Sequence, residues 1–241
     1  MLISKYINNK AFTLAEVLIT LLIIGVVASL TIPAIIADTE KAETATQVKK
    51  YQSVISQAVM NIKNEYGSII NSPLNSNSSV TTEWNALKSK LNIVKDCGIL
   101  AGQGCWANVM SKYLYGTDAK NWDLYTSGGK GILQDGSSIC LEAGSNCSSN
   151  VSSNNSGPLY NTMCAEVCID VNGIKAPNQS GRDIFCWYIL QNGTVYPVGS
   201  LDDVRRGCDP TSSDVSYGTN GSPGRGTGCT SRVIKEGKID Y

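Results

Sequence analysis

Histidine is absent from the 241 residues, and phenylalanine occurs only twice. Without histidine the chain lacks the commonest general base, the base of Ser-His triads and the most frequent zinc ligand. An enzyme built here needs a Ser-Lys or carboxylate pair, and no motif places one. GSSIC (136–140) and TSGGKG (126–131) read as turns rich in Gly and Ser, and GGKG lacks the spacing of a phosphate loop. The expectation is a protein that is not an enzyme.

Charge of one sign is also missing. Lys plus Arg is 20 and Asp plus Glu is 20, and from residue 38 onward the tally is 18 basic against 19 acidic. A protein that binds nucleic acid by neutralising phosphates shows a basic excess, so no nucleic-acid partner is expected. Cysteine is missing from the first 96 residues, whereas Cys97, Cys105, Cys140, Cys147, Cys164, Cys168, Cys186, Cys208 and Cys229 all lie in sequence rich in Ser, Asn and Gly. That distribution marks an extracytoplasmic part held by disulfides. A zinc site is the competing reading; against it stands the lack of any CxxC pair, the closest cysteines being Cys164 and Cys168.

What is present is a long apolar run, KAFTLAEVLITLLIIGVVASLTIPAIIAD (10–38), with 21 consecutive uncharged residues from Val17 to Ala37. As a helix rising 1.5 Å per residue, these span about 30 Å, one hydrocarbon thickness. Lys5 and Lys10 precede the run with no acid between them, which places the amino end in the cytoplasm and the rest outside. The run exceeds the apolar core of a secretory signal peptide. It also carries Glu16 near its start. An acid in a spanning helix is costly and needs a partner, yet no basic residue lies within the run. The one positive charge available at that depth is a backbone amine, produced by cutting the chain before Phe12.

On these residues the segment resembles the processing signal of type IV pilins and type II secretion pseudopilins. The run AFTLAEVLITL places Phe12 four residues ahead of Glu16, and Thr13, Leu14, Gly25 and Pro33 also fall at family positions. The resemblance covers about 27 residues. It implies cleavage by a prepilin peptidase between Ala11 and Phe12, methylation of the new Phe12 amine, and pairing of Glu16 with the amine of a neighbouring subunit. Pro33 is the expected helix bend. The family usually has Gly before the cut, where this chain has Ala11.

Beyond Ala37, helix-forming residues continue. Val48, Tyr51, Val54, Ile55, Ala58, Val59, Ile62 and Tyr66 recur at steps of three and four and define one apolar face, with Gly67 as a stop. A coiled-coil stalk is the alternative, but the spacing is not held for three heptads. Thr82 is a candidate cap for a short helix over 81–94 with Trp84, Leu87, Leu91 and Val94 on one side. Asp135-Gly136 and Asn192-Gly193 each lie between extended runs and predict hairpins with two-residue turns. AEVCIDV (165–171) predicts a further strand. The fold class is therefore α+β: a long helix, half membrane and half amphipathic, packed on a small antiparallel sheet with disulfide-rich loops. This order is also what the resemblance implies. The expected parts are a leader (1–11), a membrane and assembly half of the helix (12–37), an amphipathic half (38–66) and a globular head (67–241).

SNCSSNVSSNNSGP (145–158) and DPTSSDVSYGTNGSPGRGTG (209–228) read as surface loops. Cys208 and Cys229 flank the second; their pairing closes a loop worth about 3 kcal/mol in the chain-entropy account. Such a loop is similar to the disulfide-bounded carboxyl-terminal loop of many type IV pilins. Cys97 with Cys105 and Cys140 with Cys147 are candidate short-loop pairs, and Cys186, inside IFCWYIL, is the candidate for the cysteine left over. Asp170, Asn172, Asn178 and Asp183 offer hard oxygen donors suited to calcium, although the stretch departs from the EF-hand pattern and Asx turns use the same residue types. The functional expectation is a structural subunit of a type IV pilus or pilus-like filament, with the inner membrane, prepilin peptidase and other pilins as partners. The alternatives are a secretion pseudopilin, for which the head is large, and an anchored binding or adhesion protein that does not polymerise.

Overall fold

A computed structural model describes residues 12–75, 79–100, 103–107, 111–119, 128–143, 147, 162–200, 207–215 and 223–241. The chain divides into two compact units, one ending at Lys41 and the other running from Ala42 to Tyr241. Ala11 and the rest of the leader lie outside the described residues, as do most of 145–158 and the stretch 216–222 of the second polar loop.

One helix, α1 (Leu14–Tyr66), contributes to both units and continues through Pro33. In the first unit all its large apolar side chains are exposed. In the second unit Ala45, Val48, Tyr51, Ile55, Ala58, Val59 and Ile62 are buried, the three- and four-residue spacing of a helix laid on a core. Tyr66 is exposed and does not belong to this face. It is the last residue of the helix, followed by Gly67 in the left-handed conformation that ends it.

The short helix is α2 (Val80–Lys88), capped by Ser79, whose side chain accepts from the Thr82 amide. Thr82 is thus the recipient of the cap, not the cap. The helix also stops short of Val94, because the branched pair Ile93 and Val94 opens a strand instead, and Val94 is exposed there. Six strands follow: β1 (Ile93–Gly98), β2 (Gly129–Leu133), β3 (Ser138–Ala143), β4 (Met163–Asp170), β5 (Ile184–Leu190) and β6 (Val195–Pro197). Each pairs antiparallel with the next in chain order. A last helix, α3 (Cys229–Glu236), carries Val233 into the core.

Both predicted hairpins form, but with three-residue loops. Leu133 donates to the Ser137 carbonyl while its own carbonyl accepts from Gly136, and Leu190 does the same with Thr194 and Gly193. A two-residue type I′ turn needs positive φ at both central residues, whereas here only the glycines, Gly136 and Gly193, adopt it. GGKG is not a turn either, since Gly129, Lys130 and Gly131 belong to β2. A Cβ on Gly129 would lie 2.3 Å from Trp84 Cγ, so glycine there lets the indole rest directly on the strand.

Strand alternation divides the sheet residues between two clusters. Ile139, Leu141, Val167, Ile169, Phe185, Trp187 and Ile189 join the α1 residues in the main core. Cys140, Cys168, Ile184, Cys186, Tyr188 and Leu190 join Trp106, Tyr113 and Ala119 in a second cluster on the opposite face. Polar ties, among them the following, fasten α1 to the sheet and its turns. Gln52 Nε2 donates to Val195 O at 2.9 Å, Lys63 Nζ to Asn192 O at 2.8 Å, and Tyr51 OH to Asp135 Oδ2 at 2.6 Å.

Cys97 is joined to Cys105, Cys147 to Cys164, Cys168 to Cys186 and Cys208 to Cys229. The expected Cys140–Cys147 pair does not form, and Cys186 is not the cysteine left over. Cys140 sits within regular β3, while Cys147 lies beyond its end and is bonded to Cys164, the second residue of β4. Register brings the other three together. Cys140, Cys168 and Cys186 stand opposite one another on β3, β4 and β5, with Cys168 between the other two; Cys186 takes Cys168, and Cys140 keeps its thiol.

Candidate functional site

The site lies in the first turn of α1. Thr13 is the residue before the helix and Glu16 its third position, the T-x-x-E pattern of a capping box. Both halves of the box are made. The Glu16 amide donates to Thr13 Oγ1 at 3.2 Å, while Glu16 Oε2 accepts from the Thr13 amide and from Thr13 Oγ1, each at 2.8 Å. The first intrahelical bond, from Val17 N to Thr13 O, closes at 3.2 Å. Glu16 therefore begins with an in-chain partner, Thr13, which the T-x-x-E pattern already contains and which is not a cation.

The rest of the segment is suited to an apolar surrounding. An 18-residue stretch of α1 reaches a mean hydropathy of 2.6 and none of it is buried, so length and composition are those of a membrane-crossing helix. Its hydroxyl groups are bonded to its own carbonyls: Thr20 to Val17 at 2.9 Å, Ser29 to Val26 at 2.8 Å and Thr31 to Val27 at 3.1 Å. Polar groups satisfied in this way enter an apolar medium at low cost. Nothing lies within 4 Å of the position a Cβ on Gly25 would take, so the chain's own packing does not demand this glycine. A small residue in an apolar helix is instead what a neighbouring helix uses to approach. Phe12, whose amine cleavage would expose, is 86% exposed.

In the head, the calcium candidates converge at the loop between β4 and β5. Asp170 ends β4 and Asp183 immediately precedes β5; both are buried, as is Asn178, while Asn172 is half-buried. Burial and the neighbouring Asp183 push the Asp170 carboxyl up to about 9, against the amide hydrogen bonds from Asn172 and Gly173. Burial pushes Asp183 up to about 6 against the amides of Gln179 and Asn178. Two other acids stand out that the sequence reading did not select. Glu83 in α2 is buried with both carboxylate oxygens lacking a hydrogen-bond partner, and burial pushes it up to about 7. Asp135 is the opposite case. Burial opposes its charge, but hydrogen bonds from Lys50, Ser137 and Tyr51 prevail and hold it well below the usual carboxylate range. Beside it, Lys50, Tyr51, Val54, Lys90, Leu133 and Gln134 help line a cleft of about 480 Å³.

Residues 7–32 match the family model described as the prokaryotic N-terminal methylation motif. The segment is thus a type IV pilin-like prepilin segment. Searches of curated proteins and of solved structures returned no match.

Proposed function

We propose that this chain is a structural subunit of a type IV pilus or pilus-like filament. A prepilin peptidase cuts between Ala11 and Phe12 and methylates the Phe12 amine, and subunits then assemble through the apolar part of α1 with their heads outside the cytoplasm. The observation that supports this reading most is the matched segment with its unburied apolar helix: from Val17 to Ile36 every large apolar side chain is at least 42% exposed. Such a surface is stable only in lipid or against other helices, and leaving lipid for a helix bundle exchanges one apolar contact for another. Glu16 then sets the register. The Thr13 bonds hold its carboxylate at the start of the helix, where a neighbour's Phe12 amine replaces or joins them as a charge-assisted partner.

Intact mass and amino-terminal sequencing of the membrane fraction test the reading. The expected chain starts at methylated Phe12. A mature chain starting at Met1 would make it an anchored protein with an unprocessed helix and overturn the proposal. Glu16→Val is expected to leave membrane insertion intact while lowering incorporation into filaments at least tenfold; unchanged incorporation would remove Glu16 from assembly.

A further inference from the structure

We propose that Cys140, Cys168 and Cys186 form an internal thiol–disulfide switch, in which the Cys140 sulfur displaces Cys186 from Cys168 and moves the bond from the β4–β5 pair to the β3–β4 pair. The three residues stand directly opposite one another on three adjacent strands, with Cys168 in the middle, and all belong to the second cluster. Cys168 is bonded to Cys186, and Cys140 is a thiol. Exchange proceeds by attack of a sulfur on one atom of a disulfide, with the attacker opposite the sulfur that leaves. Side chains on one face of neighbouring strands, in one register row, are already in that order: attacking, central and leaving sulfur.

Backbone pairing shows why the bond can sit on either side of Cys168. The Cys186 amide donates to Thr230 Oγ1 at 2.9 Å, and the Cys186 carbonyl accepts from the Val198 amide at 3.1 Å, so both groups face away from β4. Cys168 and Cys186 are therefore a non-hydrogen-bonded pair, the closer of the two antiparallel kinds, and their Cα atoms are 4.1 Å apart. Alternation then makes Cys140 and Cys168 a hydrogen-bonded pair, for which a Cα separation of about 5.5 Å is usual. Disulfides commonly span about 5.5–6 Å between Cα atoms, so the second bond needs no change of register. The loops are similar as well. The sequence separation is 18 for the present bond and 28 for the alternative, a difference that changes closure in the unfolded chain only about twofold.

The folded head holds the switch closed. All three cysteines are 0% exposed, in one cluster with Trp106 and Tyr113. The nucleophile in exchange is the thiolate, and burial, aided by Glu142 on β3 and Glu166 on β4 and opposed by Lys130 on β2, keeps the Cys140 thiol protonated. Opening of this face to water removes that block. The Cys140–Cys168 bond then forms as the Cys168–Cys186 bond breaks. The electron pair leaves on Cys186, which takes up a proton in place of the one that Cys140 gave to solvent, and nothing is oxidised or reduced overall. The covalent consequence falls on the carboxyl-terminal part of the head. With all nine cysteines accounted for, Cys97–Cys105, Cys147–Cys164 and Cys208–Cys229 each close on one side of the β4–β5 connection, and Cys168–Cys186 is the bond that crosses it. Exchange releases that tie, so β5, β6 and α3 are then held to the rest of the sheet by packing and hydrogen bonds.

The test uses the full-length protein in detergent micelles, incubated at mildly alkaline pH in increasing urea, quenched with acid, then unfolded and blocked with N-ethylmaleimide. Cleavage after Lys130, Glu142, Glu166, Lys175, Arg182 and Arg205 places Cys140, Cys168 and Cys186 on separate fragments for mass spectrometry. Below the urea concentration that unfolds the head, a cross-link between fragments 131–142 and 167–175 is expected, with the maleimide moving from Cys140 to Cys186. This new bond should exceed any other new pair by about tenfold or more. Cys140→Ser should lower labelling of Cys186 by about tenfold or more in the same urea. If that variant does not fold, the order in which new bonds appear in the parent decides the matter. Label that stays on Cys140 until the head unfolds globally overturns the proposal. So does labelling of Cys186 that Cys140→Ser leaves unchanged, or a first new bond from Cys140 to Cys147 or Cys164.

Discussion

The two units of the chain treat apolar side chains in opposite ways. In the first, Leu18, Leu22, Ile24 and Leu30 are each more than half exposed, although this is the most apolar stretch of the molecule. In the second, Ile55, Ile62, Trp84, Val167 and Trp187 are at most 1% exposed. The head satisfies itself: burial of these side chains provides the driving force, and four disulfides restrict the unfolded chain. The segment satisfies only its polar groups, through the Thr13–Glu16 box and the hydroxyl-to-carbonyl bonds, and leaves its apolar surface to another medium. One region carries a complete set of interactions and the other half of one.

If the head is self-sufficient, breaking its packing should unfold it whatever happens in the segment. The largest effect is expected from Gly129→Val, which puts a side chain where Trp84 already lies. Neither the indole nor β2 can move without opening the core, and a loss of about 3 kcal/mol in head stability is expected. Denaturant melts of the full chain in micelles measure it, and a loss under 1 kcal/mol would mean that Trp84 can repack.

A smaller effect, with a definite sign, comes from Glu83. Its carboxyl is buried without a partner and raised to about 7 in the folded chain, against an ordinary value of 4.5. A raised acid binds its proton more tightly when folded. Its contribution is therefore fully present below about pH 4.5 and is lost as pH rises through about 7. Glu83→Gln keeps the shape without the charge and should leave the head about 2 kcal/mol more stable than the parent at pH 8, with little difference at pH 4. Parallel stability curves for the two proteins across that range would show that Glu83 finds a partner on ionising.

The two units also differ in how far they can be read from residue order. A spanning helix is specified by neighbours along the chain, so the run from Val17 to Ala37, the acid at Glu16 and the match to the prepilin pattern are all visible in one dimension. The amphipathic face of α1 is visible for the same reason, except at Tyr66, where the helix ends, and at Ala45, whose small side chain carries little signal. Strand register is different. Whether Cys168 meets Cys140 or Cys186 depends on the pairing of three strands, and a count of residues between cysteines does not contain it. The glycines of β2 suggested a turn because the Trp84 that requires them is 45 residues away along the chain. Asp170, Asn172, Asn178 and Asp183 could be grouped by closeness in sequence, but Ser138 stands opposite Asp170 only through the β3–β4 register.

The smallest effect tests the segment alone. Thr13→Ala removes both hydroxyl bonds of the capping box and leaves only the backbone bond from Thr13 N to Glu16. Losing such a cap costs about 1 kcal/mol, which corresponds to about fivefold more frequent opening of the first turn. Hydrogen exchange in micelles should show it at the Glu16 and Val17 amides, whose acceptors both lie on Thr13. Thr13→Ser, which retains the hydroxyl, should restore parental exchange. The melting of the head should stay within about 0.5 kcal/mol of the parent, since the change lies far along the chain from its core. Faster exchange confined to this turn would show that Thr13 holds Glu16 in place before any neighbour arrives. Unchanged exchange would mean that the surrounding medium, not the hydroxyl, fixes the start of the helix, and the carboxylate would then wait for its partner unrestrained.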